Sequence, residues 1–532
     1  MQSASPTTAN HDDVNASDLA ALVRSQAETI AELKHRLAWF ERQLFGQKSE
    51  RLKLLQNPQQ MVLGEVAAGA AGSVPEGKVV AAHVRRPARR DLAADVGEAE
   101  SVPFFDASRV PVEVIQLLPP EIEGLAADQY ELIGTKHSYR LAQRPGSYVV
   151  LDYVRTVVKR KDIDPESGTT AIVCAPAPAG LLEGSRADVS FLAGLLVDKF
   201  RYHLPLYRQH QRLTDAGINV SRPWLTQLTQ SAIALLVPIY EAQLASIRMS
   251  RVIAMDETPI KAGRSGHGKM KTAYFWPLYG EHDEVCFPYR PNRNHEHVAS
   301  LLGGRPAPGT VLHTDGYAAY ESYAKAAKIT HAQCWAHARR ELFEATEAEP
   351  ERAKLALEHI AGIYAVEDRI RERGLLGDPK REERVLEARP RVEAFFTFID
   401  EQFAELGLKP ATPFTKALGY VRDRKQELSV FLADPDVALD TNHLERALRV
   451  VPMGRKAWMF CWTELGARDV GIVQSLIVTC RLHGVDVYSY LVDVLQRVAQ
   501  HPATRVEELT PRHWKALFSQ NPLRSPLHAV AS

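Results

Sequence analysis

The sequence predicts an α/β core on a mixed sheet, carrying a large all-helical insertion and preceded by smaller modules. Three observations predict it. Short apolar runs between residues 252 and 314 read as strands, and two of them end in aspartate. Residues 344–435 instead place Ile360, Ile363, Val366 and Ile370 at helical spacing. Residues 18–45 carry an apolar seam of a third kind, at alternating steps of four and three.

Composition bounds the problem before any motif does. A chain of 532 residues has room for several domains, and 45% hydrophobic with 24% charged residues is ordinary for a globular protein. No apolar run approaches membrane-spanning length, and the polar start MQSASPTTANHDDVN lacks the basic, apolar and cleavage regions of a signal peptide. The expected location is the cytoplasm, with no membrane partner. Cys174, Cys286, Cys334, Cys461 and Cys480 are too sparse for a disulfide framework and form no CxxC pair. A net charge of +0 counts mildly against a nucleic-acid partner, although local patches can hide in the sum.

From the amino terminus, Leu19, Val23, Gln26, Ile30, Leu33, Leu37, Phe40 and Leu44 form the seam of an expected coiled coil over residues 18–56. It predicts self-association; an amphipathic helix lying on its own domain is the other reading. Residues 57–100, poor in core formers and containing HVRRPARR at 83–90, read as a linker, its arginines either touching phosphate or simply solvated. A small β-rich module is expected over 101–180, marked by the alternation in 147–155. Residues 186–247 turn helical. Within them a helix, a break at Ala216 and Gly217, and a second helix begun by Ser221 have the layout of a helix-turn-helix, with Arg208, Arg212 and Arg222 as candidate DNA contacts.

The expected core occupies 251–343. Val252–Met255 is a strand ending at Asp256, Thr272–Tyr279 and Glu284–Tyr289 are two more, 294–302 is a helix, and Thr310–Thr314 is a strand ending at Asp315. Three strands, a helix and a fourth strand, with carboxylates on the first and fourth, is the order of an RNase H-like sheet. Short acidic side chains on rigid strand ends suit Mg²⁺, which prefers carboxylate oxygens. Each aspartate alone is weak evidence, since Asp commonly ends strands and begins turns. Glu257 is expected on the opposite side of a continuing strand and is left out of the site.

At this point the chain resembles the large transposase of the insertion-sequence-66 family. The resemblance is carried by LFGQKSERL (44–52), DKFRYHLPLYRQ (198–209), MDETPI (255–260), HTDGYAAY (313–320), CWAHARREL (334–342), TNHLERALR (441–449) and GRKAWMF (454–460). It implies an RNase H-like core whose Asp/Asp/Glu metal site is Asp256, Asp315 and Glu445. It also implies Mg²⁺ as cofactor with Mn²⁺ as substitute, DNA ends and target DNA as partners, accessory proteins encoded by the same element, and a bacterial cytoplasmic protein that joins the nucleoid when bound to DNA. Glu445 fits a helix begun by Asp440 or Thr441, placing the final catalytic helix and a basic helical region in 436–500, followed by a tail, 501–532.

Residues 446–481 hold Arg446, Arg449, Arg455, Lys456, Arg468 and Arg481 against Glu464 and Asp469, a local excess of positive charge suited to phosphate or to a solvated helical face. Cys334 and His337 form a CxxH without a second half-site. The resemblance makes His337 a candidate contact to the scissile strand, and a satisfied core histidine is the other reading. Members of the family commonly carry paired cysteines ahead of the core. The stretch from Pro119 to Gly134 has none, so no structural zinc is expected. The expected activity is cutting of element ends and joining of the 3′ hydroxyl to target DNA. Its rivals are an inactive DNA-binding or assembly protein and a nuclease that cuts without joining.

Overall fold

The computed structural model describes residues 104–528 except 145, 162–171, 179, 267–268, 304–305, 406–411 and 459–460. The chain separates into residues 1–99 and 100–532, so the coiled coil, the linker and the arginine cluster expected ahead of residue 100 lie outside the described residues.

The first sheet is built on β3 (Ser147–Arg160), with β1 (Val112–Leu117) parallel to it and β2 (Tyr130–Arg144) antiparallel on its other side. β4 (Ile172–Cys174) pairs with the far end of β3. Both faces of β3 are covered, which accounts for its unbroken run of buried residues. Val149, Leu151 and Tyr153 pack with Leu527 near the carboxyl end, while Val150 belongs to the helical core. Asp188 caps the buried helix Val189–Leu196 through Ser190 N at 2.8 Å and accepts a bond from Ser525 Oγ at 2.6 Å.

Helix Leu206–Asp215 ends at Ala216, and Gly217 at φ +88° turns the chain with no Cβ penalty. Ser221 then accepts a bond from Trp224 N and starts the long helix Arg222–Arg248, roughly 40 Å at 1.5 Å per residue. Leu225, Leu228, Ala232, Leu236 and Ile239 form its buried stripe.

In the central sheet β5 (Val252–Met255), β11 (Val311–Thr314) and β12 (Thr330–Gln333) are mutually parallel, while β8 (Leu278–Tyr279) and β9 (Val285–Cys286) are antiparallel. Their spatial order is β12-β11-β5-β8-β9. Two expected strands need correction. Thr272–Tyr279 is not one strand: β7 (Lys269–Phe275) pairs instead with β6 (Thr258–Gly266) and β10 (Tyr289–Arg290) in a separate three-stranded sheet. Only Leu278 and Tyr279 join the central sheet. Glu284–Tyr289 divides likewise into β9 and β10. Prolines 277 and 288 sit at the two breaks, where the missing N–H interrupts the ladder.

The described residues from Trp335 to Ala433 are mostly helical, and Ile360, Ile363, Val366 and Ile370 are buried against Trp335, Phe395 and Phe396. Arg384 is wholly buried there, paired with Glu367 at 2.7 Å and donating to the carbonyls of Phe431, Asp434 and Val437, so its charge is compensated. Residues 503–528 pack onto the core through Leu509, Trp514 and Leu527. Among the described residues no helix is long and apolar enough to cross a membrane.

Candidate functional site

Parallel pairing of β5 with β11 sets Val252 beside Val311 and Ala254 beside His313. Continuing that register, the chain leaves both strands at their carboxyl ends with Asp256 beside Asp315, the end of a parallel array at which α/β proteins gather function. Oxygen atoms of Asp256, Glu257 and Asp315 lie within 4.8 Å of one another, a spacing able to hold a metal ion.

Glu257 corrects the expectation drawn from strand alternation. β5 stops at Met255, so the two-residue period ends before Glu257 and the side chain is free to turn toward the aspartates. It is almost fully buried, accepts a bond from Arg293 Nε at 2.7 Å and takes another from the Tyr320 hydroxyl. Arg293 in turn lies 4.2 Å from the centroid of the Tyr317 ring. Burial raises the Glu257 carboxyl, opposed by the Tyr320 bond and the Arg293 charge. The only sequence signal for this network was the acid next to Asp256.

Asp256 accepts a bond from Glu257 N at 2.7 Å, and its carboxyl is pushed up to about 7 by burial first, then by the charges of Glu257, Asp315 and Glu445. Asp315 accepts from Tyr317 N at 2.9 Å, closing a turn of its own. Gly316 is required by close approach: a Cβ there would sit 2.8 Å from Arg424 Nε.

Glu445 lies on helix Asn442–Leu448, outside the three-carboxylate group but near enough for its charge to bear on Asp256. Its Oε1 is 3.5 Å from Arg340 Nη2 and 3.8 Å from His337 Nε2. Asp440, rather than the Thr441 side chain, bonds the helix start through Asn442 N at 3.0 Å. A cleft of about 360 Å³ lined by Arg339, Arg340, Phe343 and Asn442 opens beside this helix.

Cys334 and His337 divide the work of the CxxH. The Cys334 sulfur is buried and accepts the Thr441 N–H at 3.2 Å, and burial raises the thiol. His337, one helical turn on, has its Nδ1 buried without a protein partner, and desolvation lowers its pKa against the pull of Asp315 and Glu445.

The basic candidates differ in freedom. Arg446, Arg449 and Lys456 are exposed, whereas Arg455 is half-buried and donates to Pro259 O at 2.6 Å. Arg208 is exposed, and so is Arg222, over the Tyr207 ring at 4.7 Å. Arg212 is engaged within the protein, with Asp198 at 2.7 Å and the Tyr148 hydroxyl at 2.8 Å.

The chain is 28% identical over 521 residues, 91% of its length and 89% of the relative's, to the uncharacterized protein y4hP of Sinorhizobium fredii. It is 29% identical over 527 residues, 93% of its length and 91% of the relative's, to the uncharacterized protein y4qI of the same organism. Residues 32–97 match the description Transposase C of IS166 homeodomain, and residues 475–512 match the IS66 C-terminal element. The description Transposase IS66 family matches residues 184–469, more than half of the chain, and the chain belongs to that family.

Proposed function

We propose that the protein cuts the ends of an insertion sequence and joins the freed 3′ hydroxyl to target DNA, with Asp256, Asp315 and Glu445 as the catalytic carboxylates. In the first step a water oxygen bonds to phosphorus as the bond to the 3′ oxygen breaks. In the second the 3′ oxygen bonds to a target phosphorus and displaces the oxygen previously held there. Membership in a transposase family makes DNA the partner.

The observation that carries the reading is the convergence of Asp256 and Asp315 at adjacent strand ends, with the Asp256 carboxyl raised to about 7. Such clustering is electrostatically unfavourable without a cation, and an all-oxygen donor set fits Mg²⁺, with Mn²⁺ as substitute. When bound, Mg²⁺ supplies charge neutralisation at the attacking and leaving oxygens. Asp256 and Asp315 would hold it, and Glu445 would complete the site from its helix. Glu257 holds Arg293 at the rim, and His337 positions Glu445. The sheet order, three parallel strands extended by an antiparallel pair on the β5 side, supports an RNase H-like reading of the core. The exposed Arg222 at the start of the second helix of the helix-turn-helix, with Arg446, Arg449 and Lys456, supports duplex contact there.

A second reading, a DNA-binding relative that no longer cuts, draws on Glu445, which lies outside the three-carboxylate group, beside Arg340 and His337. Cleavage of DNA carrying the element's flanking repeats decides between them. Asp256→Asn, Asp315→Asn and Glu445→Gln are each expected to abolish Mg²⁺-dependent cutting while DNA binding persists. An Asp315→Asn protein that cuts at the wild-type rate refutes the catalytic assignment.

A further inference from the structure

Immediately after Glu257 the chain leaves the central sheet as the β6–β7 hairpin. Residues 258–275 contain Lys261, Arg264, Lys269 and Lys271 and no acidic residue, and all four cations are exposed. The hairpin is fixed firmly to the core. Cys461 N donates to Lys261 O at 2.9 Å, Gly263 N donates to Cys461 O at 3.1 Å, and Arg455 bonds the carbonyl of Pro259. A bulge at Gly263, φ +71°, interrupts the alternation of β6. Just beyond it the Arg264 guanidinium lies 4.7 Å from the ring centroid of Trp462. That indole is 60% exposed, although tryptophan is usually well covered. The neighbouring helix Val450–Trp458 adds Arg455 and Lys456 and no acid, while Glu464 offsets Lys271 at 3.2 Å.

We propose that this hairpin and Trp462 form a contact surface for DNA with unpaired bases, in which the hairpin cations follow the backbone and one base stacks on Trp462 beside Arg264. The inference rests on the chain acting on DNA and not on its cutting chemistry. Exposed aromatics interleaved with cations are the chemistry by which proteins hold single strands, because every base offers a π-face. Bases inside a duplex are already stacked, so a base that stacks on a surface indole is one out of its pair. The extended run from Asp256 to Ala262 spans roughly 20 Å. That corresponds to about six nucleotides of one strand at 3.4 Å each, which places the stacked base several nucleotides from the carboxylates.

The test compares binding of the full chain, without divalent metal, to a paired duplex and to the same duplex carrying a single-stranded gap, both followed by fluorescence anisotropy. Trp462→Ala is expected to weaken gapped-DNA binding about ten-fold and leave duplex binding nearly unchanged, with Trp462→Phe keeping most of the affinity. Lys261→Ala with Lys269→Ala is expected to weaken binding to both probes and flatten the salt dependence by up to about two charges. Circular dichroism melting verifies that each variant is folded. Equal affinity of wild type and Trp462→Ala for gapped DNA overturns the proposal, as does an equal loss on both probes. A wild-type chain that discriminates gapped DNA in this way but never cuts element ends in Mg²⁺ would refute the proposed catalysis and leave this surface standing.

Discussion

The sulfur of Cys334 accepts the backbone N–H of Thr441 at 3.2 Å, joining the end of β12 to the start of the helix that bears Glu445. The two positions are 107 residues apart, with a helical region between them. Trp335 N strengthens the same junction by donating to Leu439 O at 3.2 Å. Cys334 therefore ties the start of the Glu445 helix to the end of β12.

Cys334→Ala removes both the acceptor and buried volume. It is expected to destabilise the fold by about 1–3 kcal/mol, because the Thr441 N–H is left buried and unpaired. Cutting should slow more than DNA binding weakens. Thermal melting and single-turnover cleavage measure the two effects, and a variant with wild-type values in both would show the junction to be dispensable.

Glu257 is held by Arg293 and Tyr320 while lying within the carboxylate group. If its task is to hold Arg293, Glu257→Gln keeps a partner for Tyr320 and loosens only the guanidinium. The expected outcome is cutting slowed about 10–100-fold, the usual cost of losing a supporting partner at a metal site. Loss as complete as that of Asp315→Asn would make Glu257 a metal ligand in its own right. Titration of the cutting rate with Mg²⁺ separates the two roles.

His331 bonds the Thr314 hydroxyl at 2.9 Å, and burial holds its pKa down at about 4. An imidazole lowered from 6.5 binds fewer protons in the folded than in the unfolded chain between those values. Its contribution to stability is therefore complete above pH 6.5 and is lost as pH falls through 4, amounting to about 3 kcal/mol at most. His331→Gln, which retains a hydrogen-bonding group, is expected to lose less stability than wild type as pH falls from 7 to 4. Asp256, raised to about 7, contributes with the opposite sign across this window. The difference between wild type and variant in melting temperature against pH isolates the histidine, and parallel curves would exclude its role.

The seam of residues 18–45 predicts self-association. Deleting it should lower the assembly state in solution, the number of chains per particle, while leaving the melting of the core intact. Leu33→Asp with Leu37→Asp should act in the same direction, because charge in a packed seam is costly. Light scattering that returns the same number of chains per particle for full-length and truncated protein rules the seam out as the assembly element.

Features set by local chemistry were legible in the sequence alone. The apolar run of β5 followed by Asp256, and that of β11 followed by Asp315, announce strand ends because backbone propensity and turn chemistry act over a few residues. The stripe through Ile360, Ile363, Val366 and Ile370 was legible because a helix buries residues at a fixed period. The break at Gly217 before the Ser221 cap was legible for the same local reason. Only the tertiary structure decided what depends on pairing between distant segments. Strand alternation put Glu257 on the wrong side because the pattern cannot say where pairing stops, and β5 stops two residues earlier. The apolar stretch Thr272–Tyr279 looked like one strand of one sheet, yet the break at Pro277 sends β7 to a different partner from β8. The company Glu445 keeps, Arg340 and His337 more than 100 residues before it, is set by how the helices close on the sheet. Local propensity carries no record of that closure.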